Sequence, residues 1–358
     1  MMSKKRIDKK YCEKIFKKLE LEKVIEAGIY RDPLNYDFIY TYPPIESLPD
    51  FNNKPENIFK IDSEREINLY IHIPFCVTKC NYCYYYSIVN KKNDDTEDKY
   101  IKALKKEIDF ILDNNNNAKF NVKALYIGGG TPTCLKSKLL EGLIKHIKRQ
   151  FKIKDGIEFT VETSPSTINK KKIKMLKTLG VNRLSIGVQA FDKNILESMG
   201  RCGISRHDAN SEKIEESIEL IKENFKNYNI DIIPGYPGFD FCKMNETLNK
   251  IIKLKVPSIT FYQLWTRNNN KFLEYIKSKN LKMPLIKDNL ITHILINEKL
   301  KQKGYIQNPA GWFIKEQNGV GVFALQDSKW KNNDYLGIGV SSYGYINGYF
   351  YVHNTDID

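Results

Sequence analysis

Three of the seven cysteines in this 358-residue chain fall within one short stretch, Cys76-Val-Thr-Lys-Cys80-Asn-Tyr-Cys83, directly after the apolar run Leu69-Tyr-Ile-His-Ile-Pro74. The spacing C-x3-C-x2-C presents three soft thiolates from one tight loop, and such thiolates are the ligands of iron-sulfur clusters. A [4Fe-4S] cube held by three cysteines keeps one iron open to a further ligand. Other readings compete with this one. A zinc site calls for a fourth Cys or His close by or in a second paired motif, and none stands at such spacing. A disulfide framework belongs to an oxidising compartment, and no signal peptide precedes the loop. His72 lies four residues before Cys76, but within an apolar alternation it reads as a packed strand histidine. The isolated Cys12, Cys134, Cys202 and Cys242 read as small buried apolar residues.

Such a loop needs a rigid frame, and from residue 66 the chain supplies one. Short β-rich runs at Ile67–Ile73, Ala124–Ile127, Ile157–Val161, Arg183–Ile186, Ile230–Ile233 and Ser258–Leu264 alternate with helical patterns near 96–114, 136–152, 167–179, 191–199, 211–226 and 243–253. Strand-helix alternation implies a parallel sheet. Six units fall short of a closed eight-stranded barrel, so the expected fold is α/β, a partial (β/α)6 TIM-like barrel with its site at the carboxyl ends of the strands. The residues just after each run then become informative. The second run is followed by Gly128-Gly129-Gly130-Thr131-Pro-Thr, the third by Glu162-Thr-Ser-Pro165, and the fourth by Gly187-Val-Gln189 and then Gly200-Arg201. The fifth leads into Asp231-Ile-Ile-Pro-Gly235-Tyr-Pro-Gly238. The glycines either let backbone N–H and C=O groups approach a ligand or make a tight strand-helix turn. Two acids, a carboxamide and an arginine at one end of a sheet would be costly without partners, which implies a polar ligand. Taken alone, Arg201 reads as a surface ion-pair member and Asp231 as a helix cap.

In order, the motifs YIHIPFC…C.YC, GGGTPT, ETSP, SIGVQAFD…MGR and DIIPGYPG resemble the radical S-adenosylmethionine (radical SAM) superfamily, and within it the subfamily similar to oxygen-independent coproporphyrinogen oxidase. The likeness covers about residues 66 to 264. It implies that Cys76, Cys80 and Cys83 ligate a [4Fe-4S] cluster. The open iron would chelate the amino and carboxylate groups of S-adenosylmethionine, and an electron from the cluster would cleave the sulfonium to a 5'-deoxyadenosyl radical. It implies further that Tyr70, Gly129, Gly130, Thr131, Glu162, Gln189, Arg201 and Asp231 contact S-adenosylmethionine, of which this subfamily takes one or two. The expected function is radical chemistry on an organic substrate, first of all methylation or related C–C bond formation using a second S-adenosylmethionine. The alternatives are a coproporphyrinogen oxidase-like reaction and a non-catalytic haem-binding chaperone, with His207 or His353 as candidate axial ligands. RNA modification is the weakest. A small-molecule or carrier-bound substrate, an electron donor such as flavodoxin or ferredoxin, and a cytoplasmic location go with this reading. Two departures stand out. The segment Gly200-Arg-Cys-Gly-Ile-Ser-Arg-His207 is longer than usual and carries Cys202, and Tyr84 stands where Asp or Phe is frequent. The run Tyr84-Tyr-Tyr86 reads as packed aromatics in preference to a cavity lining.

The formal charge of +14 would suit nucleic acid, but lysine is spread through every helix and accompanied by asparagine runs at 114–117 and 268–270. That pattern is compositional, and no nucleic-acid partner is expected. No apolar run approaches the ~20 residues of a membrane span. Residues 1–60 read as an amphipathic helix docked on the main domain, followed by a strap through Tyr40-Thr-Tyr-Pro-Pro44. Residues 61–264 form the core, and 265–358 a small α+β extension with a helix over Asp288–Lys301 and a hairpin at Asn347-Gly348. Related chains continue into a helical C-terminal domain, whereas this sequence stops at Asp358. A short or absent lid is therefore expected, with closure from the strap, the Asn308–Phe313 segment or a partner.

Overall fold

The computed structural model describes residues 6–27, 56–61, 64–89, 95–113, 115, 120–201, 210–264, 266, 270–308, 311–315 and 323–357. The Tyr40–Pro44 strap, Cys202 and His207 lie outside the described residues. The chain enters through two short helices, α1 (Lys9–Lys17) and α2 (Leu21–Glu26). Asp8 caps α1 by accepting from the Tyr11 N–H, Cys12 is buried, and the Tyr11 hydroxyl donates to Glu298 at 2.7 Å. The amphipathic start thus docks on the body of the protein.

The core carries six parallel strands side by side in chain order: β1 (Arg65–Ile73), β2 (Phe120–Gly129), β3 (Lys152–Thr163), β4 (Arg183–Gln189), β5 (Asn227–Ile232) and β6 (Ser258–Phe261). Between them run α3 (Thr96–Asp113), α4 (Ser137–Gln150), α5 (Lys170–Thr178), α6 (Lys193–Ser198), α7 (Ser211–Lys222) and α8 (Phe241–Leu254). Asn169, Asp192, Asn210 and Asp240 start four of these helices, each side chain accepting a backbone N–H of the first turn. All six expected strand-helix units are present. The strands alternate along most of their length, with register shifts at Lys123 and before Gln189. Ile67, Leu69, Ile71, Leu125, Ile127, Phe159, Val161, Leu184, Ile186, Ile230 and Ile259 are buried in the main apolar core. The intervening residues, among them Asn68, Tyr126, Thr160, Arg183, Ser185, Asn229 and Thr260, form a polar and aromatic inner face.

Beyond the core come α9 (Asn270–Ser278), α10 (Ile286–Gln302), β7 (Ile306–Asn308), β8 (Trp312–Ile314), α11 (Ala324–Trp330), β9 (Tyr335–Ile338), β10 (Tyr343–Ile346) and β11 (Tyr349–Val352). Their strands join the same sheet, whose order is β11-β10-β9-β1-β2-β3-β4-β5-β6-β8-β7. β9 runs parallel to β1, with Asn68 opposite Tyr335 and Ile71 opposite Ile338, and β8 runs antiparallel to β6. The C-terminal residues therefore flank the six core strands on both sides. The expected hairpin is in place, with Asn347 at φ 55° and Gly348 at φ 79°, the left-handed pair that a two-residue turn between twisted strands requires. No described helix is long and apolar enough to cross a membrane.

Candidate functional site

The cysteine loop leaves the end of β1 and is held from three directions. Phe75–Cys76 pairs in parallel with Ile88–Val89 and forms its neck. Asn81 ties it to the end of α6, its backbone N–H donating to Met199 O at 3.0 Å and its side-chain amide to Ser198 O at 2.9 Å. From below, the Gly130 N–H donates to Ile73 O and the Thr131 N–H to Phe75 O, both at 2.7 Å. Within the loop the Cys83 N–H donates to Cys80 O at 3.1 Å, and Thr131 Oγ1 lies 3.9 Å from Cys76 Sγ. Burial pushes the Cys76 thiol up to about 12 and raises that of Cys83.

The half-buried Arg201 guanidinium reaches into this loop. Its Nη1 lies 3.7 Å from Cys80 Sγ and 3.5 Å from the Tyr82 hydroxyl, and its Nη2 donates to Gly187 O. Among the described residues its hydrogen bonds go to a thiol, a phenol and a backbone carbonyl, and none to a carboxylate. A cation in such surroundings calls for negative charge, which thiolates bound to iron would supply. Among the described residues no three His, Cys, Asp or Glu side chains converge closely enough to hold a single metal ion. A cube distributes its ligands over separate corners, so the three cysteines and their arginine fit a [4Fe-4S] cluster better than zinc.

The other expected residues gather on the adjoining end of the inner face. Tyr70 places its hydroxyl 3.0 Å from His72 Nδ1 and stacks on Tyr126 with ring centroids 5.9 Å apart. Tyr126 donates to Glu162 Oε1 at 2.5 Å, and the Gly129 N–H donates to Glu162 Oε2 at 3.0 Å. Asp231 accepts from the Asn229 amide at 2.7 Å and from the Ser185 hydroxyl at 3.3 Å. Asp231 is therefore not a helix cap, and Arg201 is not a member of a surface ion pair among the described residues. Gln189 sits at a register shift between β4 and β5, with a left-handed backbone at φ 70°. A non-glycine residue so strained marks a functional bend. Its buried Oε1 has no hydrogen-bond partner among the described residues, an acceptor that the ammonium or ribose hydroxyls of S-adenosylmethionine could satisfy.

The glycines are tightly confined by their neighbours. A Cβ on Gly129 (φ 115°) would lie 2.7 Å from the His72 ring, and one on Gly130 would lie 2.5 Å from the Phe75 carbonyl oxygen. The N–H groups of Gly129, Gly130 and Thr131 are all taken by Glu162, Ile73 and Phe75. They pack the chain against itself beneath the cysteine loop and offer no donors to a ligand.

Other expectations also need correction. Tyr84 and Tyr85 stack on each other at 4.2 Å but stand 41% and 50% exposed, because the loop turns them away from the core. Cys242 is exposed, since it starts α8 on its outer side, whereas Cys12 is buried and Cys134 half-buried. His72 is buried, as a packed strand histidine should be. His353 is held, with Nε2 at 3.1 Å from Gly337 O and 3.4 Å from Glu107 Oε1.

Reading only the strand ends misses the rest of the inner face. Phe323 lies beneath Arg183, whose Cζ is 4.3 Å from the ring centroid, and packs against Tyr126 at 5.4 Å and Trp312 at 5.1 Å. The Ala324 N–H donates to Glu158 at 2.9 Å, so α11 covers part of this face. The polar alternation Glu158-Phe-Thr160-Val-Glu162 and Arg183-Leu-Ser185 was the available signal. A cavity of about 390 Å³ lies elsewhere, between Gly238–Cys242 and Lys282–Thr292, and none of the expected site residues lines it.

Burial raises Glu162 to about 7, with the nearby Asp231 charge adding and the Tyr126 hydrogen bond opposing, and burial likewise raises Asp231 to about 6. Both carboxylates ionise more readily when a cation arrives. S-adenosylmethionine, cationic at its sulfonium and ammonium, should therefore bind more tightly as pH rises from about 5 to about 8, releasing protons on the way. Calorimetry in buffers of different ionisation heat checks this, and Glu162→Gln should flatten the profile. A pH-independent affinity in the unmodified protein would contradict it.

This assembly, a three-cysteine loop at the end of the first of six parallel strands with polar groups at the ends of the others, defines a class. The chain belongs to the radical SAM superfamily, whose family model matches residues 70–251, and within it to the coproporphyrinogen oxidase-like subfamily. It is similar to the protein named heme chaperone HemW of Buchnera aphidicola (subsp. Schizaphis graminum), 33% identical over 286 residues that make up 78% of this chain and 70% of the relative. It is similar also to the heme chaperone HemW of Bacillus subtilis, 31% identical over 288 residues, 78% of this chain and 71% of that one. Among solved structures, coproporphyrinogen III oxidase (HemN) from Escherichia coli superposes with a TM-score of 0.76 over 91% of this chain and 77% of that one. At 24% identity this likeness is one of fold.

Proposed function

We propose that this protein is a haem carrier built on a radical SAM centre, holding a [4Fe-4S] cluster on Cys76, Cys80 and Cys83 with S-adenosylmethionine beside it. The observation that carries the haem reading is the name heme chaperone borne by relatives 33% and 31% identical over 70% and 71% of their lengths. When bound, the cluster would supply the electron that cleaves S-adenosylmethionine. Around it, Arg201 would hold positive charge at Cys80, Glu162 and Asp231 would take the cationic groups of the cofactor, and Gln189 would orient it. A flavodoxin or ferredoxin would be the electron donor.

A second reading is favoured by the completeness of this constellation, since Glu162, Gln189, Arg201 and Asp231 all stand at the cysteine-loop end of the sheet. In it the chain is an enzyme that methylates an organic substrate, or joins carbon to carbon, with a second S-adenosylmethionine, or that oxidises a porphyrinogen. Haem titration of the anaerobically reconstituted protein separates the two. The carrier is expected to develop a saturable Soret band, to pass haem to an apoprotein acceptor, and to form 5'-deoxyadenosine only slowly. Absence of haem binding together with a methylated or decarboxylated product would replace the first reading by the second.

A further inference from the structure

We propose that Lys329 binds a carboxylate of the ligand that occupies the inner face of the sheet. Lys329 lies on α11, the helix laid against that face, and its side chain is half-buried. Its Nζ stands 5.3 Å from the centroid of Tyr70 and 4.9 Å from that of Tyr335. Among the described residues it makes no hydrogen bond and no ion pair. A lysine ordinarily extends its ammonium into water or onto an acid, because three strong donors are costly to leave without acceptors. Here the ammonium is held over ring faces, which attract a cation but accept none of its hydrogen bonds in the way an oxygen does.

The surroundings say what is missing. The Tyr70 ring stacks on Tyr126, and Tyr126 donates to Glu162. Glu162 acts on Lys329 electrostatically without touching it, and burial otherwise lowers the ammonium to about 8, so it is largely charged at neutral pH. Glu162 and Asp231 thus offer one region of the face to cationic groups, and Lys329 offers another to an anion. Arg201 serves the cysteine loop and Arg183 lies over Phe323 and donates to Thr160, whereas Lys329 has no such hydrogen bond among the described residues and is available to a carboxylate farther along the strands. That carboxylate can belong to a second S-adenosylmethionine, the first having its own at the open iron, or to a propionate of a tetrapyrrole; each source rests on one of the two readings above.

The test uses the full chain with its cluster reconstituted, comparing Lys329→Met and Lys329→Arg with the unmodified protein. Binding of S-adenosylmethionine, of haem and of haem dimethyl ester is measured for each. The methionine variant is expected to weaken one carboxylate-bearing ligand by about tenfold, and the arginine variant to restore it. If the partner is a propionate, haem loses affinity while the dimethyl ester binds both proteins alike. If it is the cofactor, S-adenosylmethionine alone is weakened. Failure of the unmodified protein to bind haem would overturn the carrier reading and leave the S-adenosylmethionine arm to decide the role of Lys329. Unchanged binding of every ligand that the unmodified protein takes up would overturn the assignment. Cluster absorbance and melting temperature show whether a variant is folded, and the arginine variant answers for the methionine one if that fails to fold.

Discussion

Replacing Cys76, Cys80 or Cys83 by alanine, one at a time, should remove the iron that the anaerobically reconstituted chain binds at about four atoms per molecule. A cube needs all three corners held, because two thiolates on one flexible side of a loop cannot keep it against exchange into solvent. The loop is not where the fold derives its stability. Its tethers through Asn81, Gly130 and Thr131 remain in each variant, so the protein should stay folded and colourless. Cys134→Ala and Cys242→Ala should keep their full iron content, since one is half-buried and the other exposed on α8. The measurement is iron and sulfide analysis with the visible spectrum. Zinc in place of iron in the unmodified protein, or a Cys83→Ala variant with full iron, would end the cluster assignment.

An equally large loss should follow from a residue that is not a ligand at all. In Gly130→Ala the new methyl group would lie 2.5 Å from the Phe75 carbonyl oxygen and 2.9 Å from the carbonyl carbons of Phe75 and Pro74. All three neighbours are backbone, so no side chain can swing aside, and the cysteine loop itself has to lift from the sheet. Overpacking of this kind costs about 1–3 kcal/mol or more. The strain falls on the segment that positions Cys76, so cluster occupancy should drop with the melting temperature. Gly142→Ala provides the contrast. It lies within α4, its added methyl meets only Lys105 Nζ at 3.5 Å, and it should stabilise the helix by up to about 1 kcal/mol. A Gly130→Ala protein that loads iron and melts like the original would show that the glycine is dispensable.

The framework was readable because its signals are local. Apolar residues alternate along every core strand, and capping residues such as Asn169 and Asp192 stand at the helix starts. Strand β2 reaches back to Phe120, beyond the expected Ala124, because Asn121 and Lys123 interrupt the apolar run while pairing with both neighbours resumes on either side of a register shift at Lys123. The three-cysteine loop was readable from spacing alone. What stayed hidden depends on pairings distant in sequence. Nothing in Tyr335–Ile338 announces that it will lie beside β1, and nothing marks Lys329 among the other lysines of a lysine-rich chain. Gln189 was found through its motif, whereas its unpartnered oxygen and left-handed backbone emerge only in three dimensions. The run Tyr84–Tyr86 packs as aromatics only in part, Tyr86 against the core and Tyr84 on Tyr85 in the open, because the turn after Cys83 decides which way the rings point.

The placement of the C-terminal strands has a practical consequence. The six-stranded unit between residues 61 and 264 is bounded by β1 and β6, and in the intact protein both are hydrogen-bonded to strands from beyond residue 264. A fragment cut at that point would keep every cluster ligand. It would also bare two rows of backbone donors and acceptors, together with the aromatic surface that Phe323 covers. Exposed strand edges recruit other chains, so the excised core should self-associate instead of behaving as a minimal iron-sulfur domain. The boundary drawn at residue 264 from sequence marks a change of pattern, and the sheet runs across it without a seam.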